Sequence, residues 1–173
     1  MSLVRFQRKV VEHIYGKLPG LAQCEPYDGQ FQSDDSVATG VYPPAVLLYL
    51  SGGQVSTGSG GVMFTTTDVT AYCVTSEGDG KVYSHSAAAL AERVAELVEG
   101  ERFGLGERVG AAQVQEVANA IRFGISRRGM AVWYVRWTQS VAFGEHHWLA
   151  LEQRLGLAHE PRDAWDSPLS ASA

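Results

Sequence analysis

Met130–Phe143, which reads MAVWYVRWTQSVAF, is the stretch that decides the fold. Its apolar residues recur at every second position, the period of a β-strand whose side chains alternate between two faces. One face carries Ala131, Trp133, Val135, Trp137, Val141 and Phe143, with Gln139 as the exception. The other face carries Val132, Tyr134, Arg136, Thr138 and Ser140. We therefore predict a long strand with one buried face and one wetter face.

Three segments that precede this strand also have strand character. Ala45–Leu50 (AVLLYL) is a short apolar run, and Val62–Thr75 is rich in Thr, Val and aromatic residues. Between them, Ser51–Gly61 (SGGQVSTGSGG) is polar and dense in glycine, so we predict a β-hairpin with a mobile tip at 51–61. The second hairpin strand is long enough to contain a bulge or to form a protruding arm. Gln113–Asn119 is a weaker, short strand.

Two segments have the spacing of amphipathic helices. The first begins after Ser2, a good N-cap, and its apolar stripe consists of Leu3, Phe6, Val10, Ile14 and Leu18. The second begins near Ser84 or Ser86 and ends at Gly100. Its apolar stripe consists of Ala87, Leu90, Ala91, Val94, Leu97 and Val98. Both stripes predict helices packed on the sheet.

The remaining segments lack a regular period. Residues 24–44 contain three prolines, two glycines and four acidic residues, which predicts a loop. The apolar residues after Gly144 form no helical stripe, which predicts an extended C-terminal arm. The predicted architecture is therefore α+β. A single domain over residues 1–144 has a mixed or antiparallel sheet of about four strands, two main helices on one side and a long β-hairpin; residues 145–173 form the arm.

Composition and charge exclude several classes of function. The chain has 173 residues, 45% of them hydrophobic, and 14 basic against 19 acidic residues give a net charge of −5. Proteins that bind nucleic acid through electrostatic attraction have clusters of Lys and Arg. The sequence has no such cluster, so we expect at most passive contact with DNA. The sequence has neither a run of about 18 apolar residues nor a signal-peptide pattern, which predicts a cytoplasmic protein without a membrane span. Cys24 and Cys73 exclude a disulfide framework, although one disulfide between them stays open.

Two groups resemble ligand sites only superficially. Gly52–Gly61 lacks the lysine of a phosphate-binding loop and precedes no helix, so we interpret it as a hairpin tip. His146, His147, His159 and Asp163 lack the i, i+4 spacing of a helical zinc motif. The sequence therefore predicts neither a metal site nor a cofactor.

Three further groups favour structural roles over catalysis or recognition. Cys73 lies in the middle of a strand, so with His85 it is more typical of a core residue than of a nucleophile. The acidic residues Asp28, Asp34 and Asp35 are interpreted as a solvated loop. Trp133 and Trp137 share a strand face, which favours the core over a stacking platform. We therefore predict that the protein is not an enzyme.

Three predicted protrusions, at 24–44, at 51–61 and after Gly144, are typical of a subunit of a larger assembly. Tyr134 and Arg136, on the wetter face of the last strand, are candidates for a subunit interface, because Tyr and Arg are enriched there.

The order of features resembles the tail terminator family of Mu-like tailed phages over roughly Leu3 to Gly144. Glu25–Phe31 (EPYDGQF) is similar to the family's loop of tyrosine, acidic or small residue, glycine, acidic or polar residue and phenylalanine. Pro43–Gly52 (PPAVLLYLSG) is similar to its "PAV, apolar strand, glycine" signature. A Thr-rich strand, a helix at Ala87–Gly100 and a last strand ending near Gly144 complete the order.

The resemblance implies a structural virion protein at the head-proximal end of the tail, assembled in the host cytoplasm. It implies a hexameric ring that caps the tail tube, stops tube polymerisation and docks the head connector or neck protein. The ring channel would pass DNA without gripping it. The candidate contact residues are Tyr27, Asp28, Phe31, Gln54, Val55, Tyr134, Arg136, Trp148, Leu151, Leu155 and Trp165.

Two alternatives stay open. A head-completion or neck-joining protein would be equally small, ring-forming and non-catalytic. A small-molecule-binding or enzymatic α+β domain would need a pocket with convergent polar groups.

Overall fold

A computed structural model describes residues 2–28, 40–58, 62–76, 84–120 and 130–143. These residues form two α-helices and five β-strands, with a 3-10 turn at Gly106–Arg108 before the fourth strand. In chain order the elements are α1 (Leu3–Lys17), β1 (Gln23–Pro26), β2 (Ala45–Thr57), β3 (Met63–Ser76), α2 (Ser84–Val98), β4 (Gln113–Asn119) and β5 (Met130–Phe143).

The strands form one mixed sheet in the order β1-β2-β3-β5-β4. β1 is parallel to β2, and the other neighbouring strands are antiparallel. β3 and β5 pair along their whole length, from Met63 opposite Phe143 to Ser76 opposite Met130, and form the centre of the sheet. The predicted α+β fold is confirmed, with five strands in the sheet instead of about four.

β1 is the strand that the sequence did not predict. Residues 24–26 were expected in a loop, but Gln23–Pro26 pairs with β2 from Gln23 opposite Ala45 to Pro26 opposite Leu48. The backbone N–H of Tyr27 extends this pairing by donating to the Leu48 carbonyl oxygen at 2.8 Å. Four residues are too few to show an alternating pattern, and the strand is defined by its backbone hydrogen bonds to β2.

The main core lies between the helices and one face of the sheet. Ser2 caps α1, because its Oγ accepts a hydrogen bond from the backbone N–H of Arg5 at 3.2 Å. The buried stripes of both helices and one face of the sheet belong to one apolar cluster, which confirms that both helices pack on the same side. The cluster includes Phe6, Val10, Ile14, Val46, Leu48, Val69, Ala71, Ala91, Val94, Val98, Val135 and Trp137.

The opposite face of β5 differs from its predicted character. Val132 and Tyr134 are each only 4% exposed, because the neighbouring strand places apolar and aromatic residues opposite them. Val74 lies opposite Val132, and Tyr72 lies opposite Tyr134. Only the second half of this face, from Arg136 onward, has partly or fully exposed side chains. The wetter face is therefore limited to Arg136, Thr138 and Ser140, three of its five predicted residues.

Gln139, the polar exception in the apolar pattern of β5, has a specific structural role. Its side chain is 2% exposed. Its Oε1 accepts a hydrogen bond from Trp137 Nε1 at 3.2 Å, and its Nε2 donates to the carbonyl oxygens of Glu101 at 2.9 Å and Gly110 at 2.7 Å. The amide therefore joins β5 to the segment between α2 and β4, and its buried polar atoms all have partners.

Candidate interaction surface

We define a hairpin arm as Gly53–Thr57 of β2 with Met63–Thr67 of β3. Its β2 strand is exposed throughout, whereas Thr65 and Thr67 of its β3 strand are buried. The two strands pair from Gly53 opposite Thr67 to Thr57 opposite Met63. The hairpin closes where the Gly58 N–H donates to the Val62 carbonyl oxygen at 2.8 Å. The prediction of a mobile tip over 51–61 is wrong for residues 51–57, which are strand. Backbone pairing with the Thr-rich β3 outweighs the low strand propensity of Gly and Ser.

A bulge joins the arm to the rest of the sheet. The register between β2 and β3 shifts between Leu50 and Gly53, so the bulge lies in the first hairpin strand and not in the longer second one. Gly52 has φ +52°, in the left-handed region that favours glycine. Gly53 is needed for a different reason: a Cβ there would lie 1.6 Å from the Thr66 carbonyl oxygen. The two glycines therefore set the position of the bulge.

The outer edge of the arm is not paired with any strand in the described part of the chain. β1 ends opposite Leu48, so it does not reach the arm. The Gly58 N–H bonds to β3, and backbone direction alternates along a strand. The backbone groups of Gln54 and Ser56 therefore face β3, whereas those of Gly53, Val55 and Thr57 face outward.

The chemistry of this edge is that of a contact surface. Residues 49–58 (YLSGGQVSTG) contain no charged residue and no proline, and all side chains from Ser51 to Thr57 are exposed. Val55 is 63% exposed and Met63 is 49% exposed. Edges that stay free in natural proteins are usually protected by charges, prolines or a covering segment. The β2 strand of the arm has none of the first two, and its side chains are exposed.

The arm holds two of the predicted contact residues, Gln54 and Val55, both exposed. The sequence reasoning missed Val62 and Met63, which add apolar surface at the same end. The signal was present: two apolar residues directly after a glycine-rich turn start the second hairpin strand near the tip, where the helices do not cover it.

The other described candidates are in different environments. Tyr134 is buried within the chain, so it is a core residue and not an open contact as predicted. Tyr27 is partly buried, with its ring 6.1 Å from that of Tyr72. Asp28 is exposed. Arg136 is half exposed and pairs with Glu116 of β4 at 2.8 Å. The remaining candidates lie outside the described residues: Phe31, Trp148, Leu151, Leu155 and Trp165.

The two cysteines are free thiols in strands β1 and β3. β2 lies between these strands, which puts their backbones about 9.6 Å apart, beyond the Cα separation of a disulfide. Burial, and next the charge of Glu25, raises the pKa of Cys24 to about 12. Burial, and next the nearby Cys24, raises the pKa of Cys73. Both are protonated near neutral pH, and Cys73 is confirmed as a core residue.

The described residues include no group of three or more His, Cys, Asp or Glu side chains placed to hold a metal ion. The predicted ligand candidates His146, His147, His159 and Asp163 lie outside them, as do Asp34 and Asp35. Within the described ranges, neither helix is long and apolar enough to span a membrane.

Comparison of the sequence with models of protein families finds no match. Comparison with curated proteins also finds none.

Proposed function

We propose that the protein is a phage tail terminator, a structural virion protein whose hexameric ring caps the head-proximal end of the tail tube. The ring stops tube polymerisation and presents a docking surface for the head connector or neck protein. The observation that carries this proposal is the arm, an uncharged and exposed β-edge at one end of the sheet.

The arm supports an assembly role because its outer edge exposes backbone hydrogen-bonding groups and apolar side chains that a neighbouring subunit can contact. The outward backbone groups of Gly53, Val55 and Thr57 are hydrogen-bonding groups that a neighbouring subunit would satisfy. Val55 and Met63 are apolar side chains whose burial stabilises a contact by about 25 cal/mol per Å². Contacts between subunits use both features, the outward backbone groups and the apolar side chains.

A ring follows when one surface of a subunit binds a different surface of the next. Such head-to-tail contacts close if the rotation per subunit allows it. A cap must also differ on its two faces, because the tube-binding face continues the tube contacts and the opposite face must not. The resemblance also implies a mixed sheet with helices packed on one side, and the observed sheet and helices are compatible with that expectation.

The charge of the chain is also compatible with a tail channel. Its net charge of −5 gives weak repulsion between the ring and DNA. A ring with this charge does not hold the DNA that passes through its channel at ejection. The partners in this proposal are therefore other copies of the chain, the tail tube protein and the neck, with DNA only in transit.

The proposal is tested by electron microscopy of tails in lysates from a phage that lacks this gene. We expect overlong tubes without heads, because nothing stops their growth. Tails of normal length that fail to join heads would support the neck-joining alternative instead. Normal, infectious particles would overturn the assembly role altogether.

A further inference from the structure

We propose that two copies of the free chain pair through the outer edges of their arms, β2 against β2, antiparallel around a two-fold axis at Val55. This inference rests on the geometry of the arm and not on the proposed function. The ring is proposed to form on the tube, whereas the arm-to-arm pair describes the chain before it binds there.

The backbone of the arm is self-complementary about Val55. The residues that face outward are Gly53, Val55 and Thr57, symmetrically placed around the middle one. In an antiparallel pair centred on Val55, Val55 lies opposite Val55 of the other copy, and Gly53 lies opposite Thr57. Each of these is a hydrogen-bonded position at which the two residues exchange both N–H···O bonds. The pairing therefore satisfies the outward backbone groups of all three residues in both copies.

The side chains fit the same register. Val55 is on the face of the arm that carries its cross-strand partner Thr65, and Met63 is on that face two residues away. The two Val55 side chains therefore meet at the axis and lose exposure, and each Met63 lies on the same face beside Thr57. On the other face, Gln54 lies opposite Ser56 of the second copy, where an amide and a hydroxyl can hydrogen-bond.

The same features favour a second copy over other occupants. An edge without charge brings identical residues together at no electrostatic cost, whereas like charges directly opposite each other are destabilising. A nucleic acid or an anionic membrane would need basic residues, and residues 49–58 contain none.

The first test is sedimentation of the full-length chain over a range of concentrations, with Val55→Lys and the control Val4→Lys. Val4 is 75% exposed on α1, so its substitution introduces the same charge away from the arm. We expect a reversible dimer for the wild type and for Val4→Lys. We expect Val55→Lys to weaken the dimer about tenfold or more, because two ammonium groups meet at the axis. Circular dichroism shows whether each variant is folded.

The second test locates the axis and does not depend on a disruptive variant. In Val55→Cys, the two new thiols lie at opposite positions whose Cα atoms are about 5.5 Å apart, within disulfide range. With diamide as the oxidant, we expect a covalent dimer from Val55→Cys, and none at matched concentration from Val4→Cys. The native thiols of Cys24 and Cys73 are present in both variants, so Val4→Cys also controls for them.

A monomeric wild type at all concentrations would overturn the inference, as would a dimer that Val55→Lys leaves unchanged. A larger oligomer that survives Val55→Lys and yields no Val55→Cys crosslink would also overturn it. That last result would leave the ring proposal standing, since tail length in a deletion phage tests the ring independently.

Discussion

At the scale of single residues, the Gln139 side chain joins β5 to the segment between α2 and β4 through two backbone carbonyl groups. The alternating pattern of β5 identifies it as an exception, but its role depends on the Glu101 and Gly110 carbonyl groups, which are distant along the chain. No local pattern brings these groups together. Tyr134 is a different case. The alternating pattern placed it correctly on the second face of β5, but its burial depends on residues of other strands.

Gln139→Met is expected to lower the free energy of unfolding by at least about 2 kcal/mol. Methionine has a similar length but removes the partner of the Trp137 indole N–H and of the Gly110 carbonyl oxygen, at about 1–3 kcal/mol for each buried group. The Glu101 carbonyl oxygen keeps its bond from the Ala112 N–H at 3.0 Å. Urea unfolding measures the loss. Gln115→Met, at an exposed position of β4, is the matched control and should change stability by less than about 0.5 kcal/mol. Equal effects of the two substitutions would contradict the role of the Gln139 network.

The raised pKa of Cys24 predicts a loss of stability at alkaline pH. The unfolded thiol ionises near its ordinary pKa of 9.0, whereas the folded thiol keeps its proton until about pH 12. The stabilising contribution is therefore complete below pH 9 and is lost as pH rises through 12. Tyr72, whose pKa burial also raises, acts in the same direction. Urea unfolding between pH 8 and 11 should show the decline, and Cys24→Ala should make it smaller; an unchanged slope would refute the assignment to Cys24.

At the scale of elements, long and strongly patterned segments were predicted well and segments defined by pairing were not. The bounds of β4 and β5 agree with the prediction, because alternation is a local signal. β1 was missed because four residues show no period. The strand over residues 51–57 was missed because Gly and Ser indicate a loop, while its stability comes from β3. Consequently the position of the candidate surface at a hairpin was predicted, but its strand character was not.

Gly53→Ala is expected to destabilise the protein by about 1–3 kcal/mol, the cost of forcing an extra methyl group into a packed site. The added Cβ would collide with the Thr66 carbonyl oxygen, so the arm must shift its register or bend. Thermal unfolding measures the effect. Gly20→Ala is the control, because nothing lies within 4 Å of a Cβ at that position. If Gly53→Ala were as stable as Gly20→Ala, the close approach at the bulge would be refuted.

At the scale of the whole molecule, the central contrast is between a well-packed core and an exposed β-edge. Residues 1–143 form one compact unit, in which both helices cover a single face of the sheet. The arm extends beyond β1, and its side chains are exposed over Ser51–Thr57. The three predicted protrusions indicated an assembly subunit, and the arm gives that hypothesis a specific surface. The C-terminal residues that the sequence analysis assigned to partner contact remain a prediction.

Removing residues 145–173 is expected to separate folding from assembly. The thermal midpoint should change little, because the compact unit ends at Phe143. Trp148, Leu151, Leu155 and Trp165 are the predicted partner contacts that the truncation removes. In a phage that lacks the gene, the truncated chain should therefore restore fewer infectious particles than the full chain does. Full restoration by the truncated chain would contradict a contact role for this segment.

The most direct test of the central claim is the distribution of tail lengths in a deletion phage complemented with the full-length chain. We predict overlong tubes without complementation and a single, normal length with it, because the capped tube can no longer grow. A normal length distribution in both lysates would contradict the claim that this protein terminates the tail.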